Sequence, residues 1–517
     1  MRNPLFLIVA ALVACDSPQE REPTADRLMV VVRRNDDRPA SETVTVAIDW
    51  NEVVSRLPQL NQSGLQVTDQ HFRRELESRL VDSDDDGIAD VLKVTYPFAS
   101  TEPQYTLMIS ESAGAPPAVE REVIGTDARF SLTYLEPYAS FANGDTIDWP
   151  AKIFETSMNF YPGPEDFTII SPGEWTYEHG MFLNAGFELW KKTGRQTYLD
   201  YVRNWVDYFL TPEGTIRADA YDVTQYRLDD ILPGRLCLFL YEETGDARYK
   251  TAADQLMHHL ENQPKTSEGG YWHKEIYPYQ MWLDGIYMAD VFSMQYARVF
   301  DKPQWYDEAV LQIELISKHT RDTTTGLMYH GWDESKNLVW ADPVTGASPT
   351  FWSRAIGWYF MALADCLEYL PEDHKEKPAI LALFRDLAAS LAQYQDDSTR
   401  LWYQVTDRGD AHDNWIETSS SAMFAYGFAK GANNGWLDES YRQRAREAFD
   451  SIIRNYTWYD EAGNLYLDQT VKVGTLNLKV SKGDYAYYVN GETRINDYKG
   501  LGALLYAAIA LSDGGGD

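Results

Sequence analysis

Aromatic and ionisable residues are packed most densely between Gly269 and Gly285, in the run GGYWHKEIYPYQMWLDG. Such a run can do proton chemistry on a polar ring: indoles and phenols can cover a ring face, and Asp284, with His273 and Lys274 nearby, can give or take a proton. Pro278 predicts a helix start that Tyr287, Met288 and Tyr296 continue, so Asp284 falls in the first turn or just beyond it. A helix N-terminus favours the carboxylate, and crowding by Trp282 and Tyr287 favours the neutral acid. If desolvation dominates, Asp284 is a proton donor near neutral pH. The plainer reading of such an aspartate is a helix cap or dipole partner.

Three further clusters carry polar chemistry. His330-Gly331-Trp332-Asp333-Glu334-Ser335 is one, and Trp340-Ala341-Asp342-Pro343 leads into a second, Phe351-Trp352-Ser353-Arg354-Ala355-Ile356-Gly357-Trp358-Tyr359. On a helix Arg354 and Trp358 share a face, with Trp352 nearby, so a guanidinium between two indoles could grip a carboxylate while the rings hold a sugar. A buried arginine neutralising Asp342 or Asp365 fits the same spacing. The last cluster is Leu228-Asp229-Asp230-Ile231-Leu232-Pro233-Gly234. Its two carboxylates read either as a cap with a solvated neighbour or as a second acid facing Asp284.

The elements that hold these clusters change character along the chain. Leu28–Val32, Thr43–Ile48, Val91–Tyr96 and Tyr105–Ile109 read as strands of a small β-sandwich spanning 28–115, followed by a linker over 116–145. From 146 to 512 a 3.6-residue apolar period predicts twelve helices, near 147–160, 176–193, 197–209, 230–244, 246–262, 281–299, 304–317, 352–370, 376–395, 416–430, 438–455 and 494–512. Short turns such as Thr193-Gly194 before Tyr198 and Thr244-Gly245 before Tyr249 repeat weakly, which points to a recurring helical hairpin. Twelve helices in six hairpins make an (α/α)6 barrel, and a solenoid is the competing arrangement. The long gaps at 263–280, 318–351 and 396–415 contain much of the chemistry, as loops on a rigid scaffold usually do.

Taken in order, WTYEHG (175–180), LDDILPGRLCLFLYEETGDARY (228–249), EGGYWHKEIYPYQMWLDGIYMAD (268–290), HGWDES, WADP, SPTFWSRAIGWY (348–359), DCLEYLP and NDYKGLGA (496–503) resemble glycoside hydrolase family 105 over roughly residues 150–512. The resemblance implies an (α/α)6 barrel that removes a 4,5-unsaturated uronic acid from the non-reducing end of polysaccharide-lyase products. In that family an aspartic acid protonates C4 of the enol ether and helps water add at C5, and the hemiketal then opens. The resemblance implies Asp284 as that acid, Asp229 as the supporting aspartate, His330 as the pocket histidine and Trp352 and Trp358 as pocket tryptophans. Arg354 and His273 are its candidates for binding the uronate carboxylate and nearby hydroxyls. It implies no cofactor. The stretch RLMVVVRRNDDRPASETVTVAIDW is similar to β-rich accessory domains of polysaccharide-degrading proteins.

Charge and composition bound the partners. Of 517 residues, 79 are Asp or Glu and 46 Lys or Arg, a formal charge of −33. That field disfavours nucleic acid and anionic membrane, and any anionic ligand needs a local site that overcomes it. The N-terminus reads as a secretory signal over 1–15: Arg2, an apolar run from Leu5 to Val13, then Leu12-Val13-Ala14-Cys15, which resembles a bacterial lipoprotein box. Lipidated Cys15 followed by a polar tether over 16–27 implies a secreted cell-envelope protein touching membrane only through that anchor. Cys237 and Cys366 lie in apolar helical runs and read as buried hydrophobes. Finally, Asp82, Asp84, Asp86 and Asp90 have the spacing of a calcium-type loop with Gly87 at its sixth position, but Lys93 stands where the twelfth-position Glu belongs. A structural Ca²⁺ site and a solvated acidic turn both remain open. So do two rival functions, a conventional inverting glycosidase or epimerase on the same barrel and a non-catalytic surface glycan-binding protein.

Overall fold

The computed structural model of the chain describes residues 26–34, 43–58, 60, 64–97, 104–111, 119–121, 130–141, 147–167 and 171–512. Cys15, the signal segment and nearly all of the tether lie outside the described residues.

The N-terminal region is two facing sheets. A four-stranded sheet runs in the order Thr43–Asp49, Val91–Pro97, Ser78–Asp82, Val119–Arg121. A seven-stranded sheet centres on Arg27–Arg34, flanked by Gln104–Glu111 and Phe130–Pro137. Alternation along Arg27–Arg34 sends its side chains two ways. Leu28, Val30 and Val32 join Val46, Ile48, Leu92 and Val94 between the sheets, and Met29 and Val31 join Trp458, Tyr466 and Ile495 of the helical region. A strand buried on both faces has to be apolar throughout, which explains the unbroken LMVVV.

That second face corrects the expected boundaries. The 116–145 stretch is not simply a linker: it contains strands Val119–Arg121 and Phe130–Pro137 and the short helix Tyr138–Phe141. Phe130–Pro137 pairs with Thr457–Tyr459, which pairs with Leu465–Leu467, so the large sheet includes a hairpin from the far end of the chain.

The twelve expected helices are all present. Six form an outer layer: Trp149–Phe160, Gln196–Phe209, Ala247–Glu261, Gln304–Thr320, Lys377–Gln393 and Glu439–Tyr456. Six form an inner layer: Tyr177–Thr193, Gly234–Thr244, Val291–Phe300, Ser353–Tyr369, Thr418–Asn433 and Tyr498–Ser512. Each inner helix packs on the next, and Tyr498–Ser512 closes onto Tyr177–Thr193, so the array is a closed (α/α)6 barrel and not a solenoid. The inner helix Ser353–Tyr369 is buried nearly all round, as a wall between core and core must be. Among the described residues no helix is long and apolar enough to cross a membrane.

Connection lengths fix the polarity. Inner helices pass to outer ones through tight turns, with Gly194 and Gly245 at φ 66° and 69° as left-handed caps. The repeated tyrosines tie outer helices together: Tyr198 donates to Glu155 at 2.7 Å and Tyr249 to Asp207 at 3.0 Å. Every inner helix is entered from a longer connection, so all six N-termini lie at one end of the barrel. Asp229, Asp284 and Arg354 all lie at that end.

Candidate active site

Asp284 owes its position to a long-range strand pairing and not to Pro278. Gln280–Trp282 is a strand, paired antiparallel with Gly331–Asp333, and the helical turn starts only at Leu283. Leu283 N–H donates to the His330 carbonyl at 3.0 Å, which brings His330 beside Asp284. Their Nε2 and Oδ2 atoms are 3.2 Å apart but out of hydrogen-bond alignment, and neither atom has another hydrogen-bond partner among the described residues. Gly331 permits this crossing: a Cβ there would meet Leu476 at 2.7 Å and the Trp282 ring at 2.9 Å. Beyond Gly285 the helix widens into a π-turn over Ile286–Asp290, a local irregularity frequent at functional sites.

The other ring nitrogen of His330 shares a 2.7 Å hydrogen bond with the Tyr488 hydroxyl, which fixes the ring. Trp352 packs 4.8 Å from His330 and stacks on Tyr488 at 5.5 Å. Its indole N–H donates to Gln404, whose amide in turn donates to the Tyr488 carbonyl.

Asp229 sits on the short 3-10 turn Leu228–Asp230, anchored where Leu228 N–H donates to the His273 carbonyl at 3.1 Å. Lys274 Nζ lies 2.5 Å from one carboxylate oxygen and His273 Nε2 3.5 Å from the other. Burial pushes the Asp229 carboxyl up, but its partners, the Lys274 ammonium foremost, outweigh it and leave it below the usual range. Burial pulls His273 down to about 4, so the ring is neutral at neutral pH, stacked on Trp282 at 4.4 Å and within electrostatic reach of both Asp229 and Asp284. Asp230 is different. It is fully buried and paired with Arg227 at 3.0 Å, and burial raises it to about 7. Of the adjacent pair, Asp229 is the one beside His273 and Lys274.

Arg354 requires a correction. The guanidinium is 1 % exposed and pairs with neither Asp342 nor Asp365; its partner is Glu417, at 3.0 Å, and it also donates to the Val471 carbonyl. Glu417 caps Thr418–Asn433 through Ser420 N–H and accepts from Val471 N–H, so Arg354 knits two inner helix ends to the 471 loop. A fully buried carboxylate has to be neutralised, and Arg354 does that here. The tryptophans are also walls and not open platforms. Trp358 is 1 % exposed, with Tyr177 and Tyr287 against it, and Trp352 is 2 % exposed, with the loop at Gly474 against it.

Asp284, His330, His273 and Asp229 therefore come together, Trp352 and Trp358 line the surround, and Arg354 lies beneath. Tyr177, Tyr488, Gln404 and Glu417 join them without having been singled out from the sequence, and Lys274, noted there only among the neighbours of Asp284, joins Asp229. Lys274 was legible as the neighbour of His273. Tyr488 and Gln404 stand in irregular segments whose partners only the fold reveals.

The acidic loop is remote from this site in the chain. Asp82, Asp84 and Asp86 bring carboxylate oxygens within 4.8 Å of one another. Asp90 does not join them, because it accepts from Ser83 N–H at 2.8 Å and from the Ser83 hydroxyl. Asp82 accepts from the backbone of Asp86 and Gly87, and Asp86 from Ile88, so the turn's own hydrogen bonds account for much of its shape.

Residues 150–512 match the family model for Glycosyl Hydrolase Family 88. The chain is 25% identical over 316 residues to the unsaturated rhamnogalacturonyl hydrolase YesR of Bacillus subtilis, covering 60% of this chain and 82% of that one. It is 24% identical over 295 residues to an unsaturated 3S-rhamnoglycuronyl hydrolase of Formosa agariphila, covering 55% and 74%. A family 105 glycoside hydrolase structure from C. acetobutylicum superposes with TM-score 0.67 at 33% identity, over 71% of this chain and all of that one. With the barrel and these likenesses together, the chain belongs to Glycosyl Hydrolase Family 88 and is a glycoside hydrolase.

Proposed function

We propose that this enzyme is exo-acting and removes a 4,5-unsaturated uronic acid from the non-reducing end of lyase-cut oligosaccharides by hydrating the enol ether. The observation that carries this reading is the pairing of Asp284 with His330 at 3.2 Å, beside a separately stabilised Asp229 carboxylate. The mechanism needs one carboxyl group that first donates and then accepts a proton, and a second that stays charged. Asp284 delivers its proton to C4, oxocarbenium character develops at C5, and Asp229 stabilises that charge. Water then adds at C5, giving its proton to the Asp284 carboxylate, and the hemiketal opens to release the shortened saccharide. Six inner helix N-termini facing the same end supply positive potential that a uronate carboxylate can use in a chain of charge −33.

The substrates read best as rhamnose-containing fragments of ulvan or pectic rhamnogalacturonan type. This agrees with the names of the relatives, and the acidic surface suits a saline setting and tilts the choice toward ulvan. Cys15 would be lipidated and would hold the enzyme on the cell envelope; mass spectrometry of the N-terminal peptide from native membranes tests that anchor. The reaction is tested by following the ultraviolet absorbance of the unsaturated uronate in ulvan-lyase and rhamnogalacturonan-lyase digests. Wild type should abolish the absorbance of one digest and Asp284→Asn should leave it. A signal that persists in both digests with wild type would refute the reading.

A further inference from the structure

The family match begins at residue 150, yet the N-terminal β-region reaches the active-site end of the barrel. The tight turn after Leu65–Asp69 carries Gln70, His71 and Arg73. Thr493 N–H donates to the His71 carbonyl at 3.0 Å, and the Thr493 hydroxyl to the Gln70 carbonyl at 2.8 Å. Arg73 goes further in: Nη2 donates to the Val489 carbonyl at 2.9 Å and to the Gly491 carbonyl at 3.0 Å. Its guanidinium lies 4.1 Å over the Trp415 ring, whose indole N–H donates to the same Val489 carbonyl.

Val489 ends the short helix Tyr485–Val489, which carries Tyr488, and Gly491 follows just beyond its cap. Tyr488 is the group that orients His330 through the 2.7 Å bond, and His330 faces Asp284 at 3.2 Å. A five-residue helix has little stability of its own, so its position depends on what holds its ends. Arg73 satisfies two carbonyls there with a charged donor, which is the stronger kind of hydrogen bond.

We propose that Arg73 is a positioning residue of the catalytic centre, contributed by the N-terminal β-region and acting through Tyr488 on the His330–Asp284 pair. The inference rests on the reading of Asp284 as the proton donor. It makes the β-region a working part of the hydrolase, where an accessory domain would only be tethered to it.

The test uses the full chain and the absorbance assay on the lyase digest that wild type consumes. Arg73→Ala should lower kcat at least tenfold, and Arg73→Lys, which keeps donors for both carbonyls, should recover part of it. The decisive comparison is a double-mutant cycle with Tyr488→Phe: if Arg73 acts through Tyr488, its effect in that background should shrink to less than threefold. Arg56→Ala is the control, since Arg56 joins the same two regions through Glu461, and it should keep kcat within twofold. Multiplicative losses in the cycle, a wild-type kcat for Arg73→Ala, or an equal loss in Arg56→Ala would each overturn the proposal. If Arg73→Ala does not fold, Arg73→Gln enters the same cycle. Turnover by Asp284→Asn would instead sink the underlying assignment, so the two failures are separable.

Discussion

Replacing Lys274 by Met isolates the electrostatic role of Asp229. The side chain keeps its length and loses its charge, leaving a buried carboxylate without the cation 2.5 Å away. An opposite charge at such range lowers a carboxyl, so its removal should raise Asp229, with burial then opposed chiefly by His273 and Arg227. In wild type the depressed Asp229 stays charged until pH falls below the ordinary carboxylate range. In Lys274→Met the acid limb of kcat/KM should therefore move to higher pH. The sign for stability follows. A folded-state pKa below the unfolded one contributes stability that is present above the unfolded pKa and lost as pH falls through the folded value. The variant lacks that contribution, and breaking a largely buried pair should cost up to about 3–5 kcal/mol. The assay is the pH profile of uronate absorbance loss, paired with denaturant unfolding at pH 7. An acid limb that does not move, in a variant that folds, would show that the Asp229 charge plays no part in turnover.

Other outcomes follow from the same geometry. Asp229→Asn should lose at least a hundredfold in kcat, whereas Asp230→Asn should stay within about tenfold, in the range of effects known for charge-stabilising groups. Asp230→Asn should also gain stability over wild type as pH rises through about 7, because a raised carboxyl contributes stability below its unfolded pKa and loses it as pH climbs through the folded value; thermal unfolding at pH 5 and 8 checks this. Tyr488→Phe strands a buried His330 nitrogen at about 1–3 kcal/mol, so kcat/KM should fall about ten- to a hundredfold while the unfolded fraction at 25 °C stays negligible. Arg354→Ala should destabilise by about 3–5 kcal/mol through unpaired Glu417, measured by denaturant unfolding, and the joint replacement Arg354→Met with Glu417→Leu should cost less than the single change. Gly474→Ala places a Cβ 2.5 Å from the Trp352 ring, so the loop must move and KM should rise with a stability loss of about 1–3 kcal/mol.

The sequence alone determined the local elements. A 3.6-residue apolar period specifies which face of a helix leaves water, and it located all twelve barrel helices within a few residues, because burial of that face is the dominant stabilising term. It also showed polar residues clustered in and beside the long connections, and the resemblance to family 105 motifs picked out Asp284, Asp229, His273 and His330 among them. Tertiary structure decided what those residues meet. Pro278 has the place of a helix start, but Gln280–Trp282 has its strand partner about fifty residues away in Gly331–Asp333, and that pairing is what puts His330 on Asp284. Arg354 has the spacing of a ligand clamp, yet its charge is taken by Glu417, a residue no local pattern links to it. The strand Phe130–Pro137 was read as linker because its burial comes half from the sandwich and half from a hairpin at Thr457–Leu467. Arg73 and Val489, the residue after Tyr488, are more than four hundred residues apart and meet only when the β-region docks. Periodicity is a property of neighbours along the chain, whereas an ion pair or an active site depends on groups whose separation in sequence carries no signal, and only packing of the whole molecule brings them within reach.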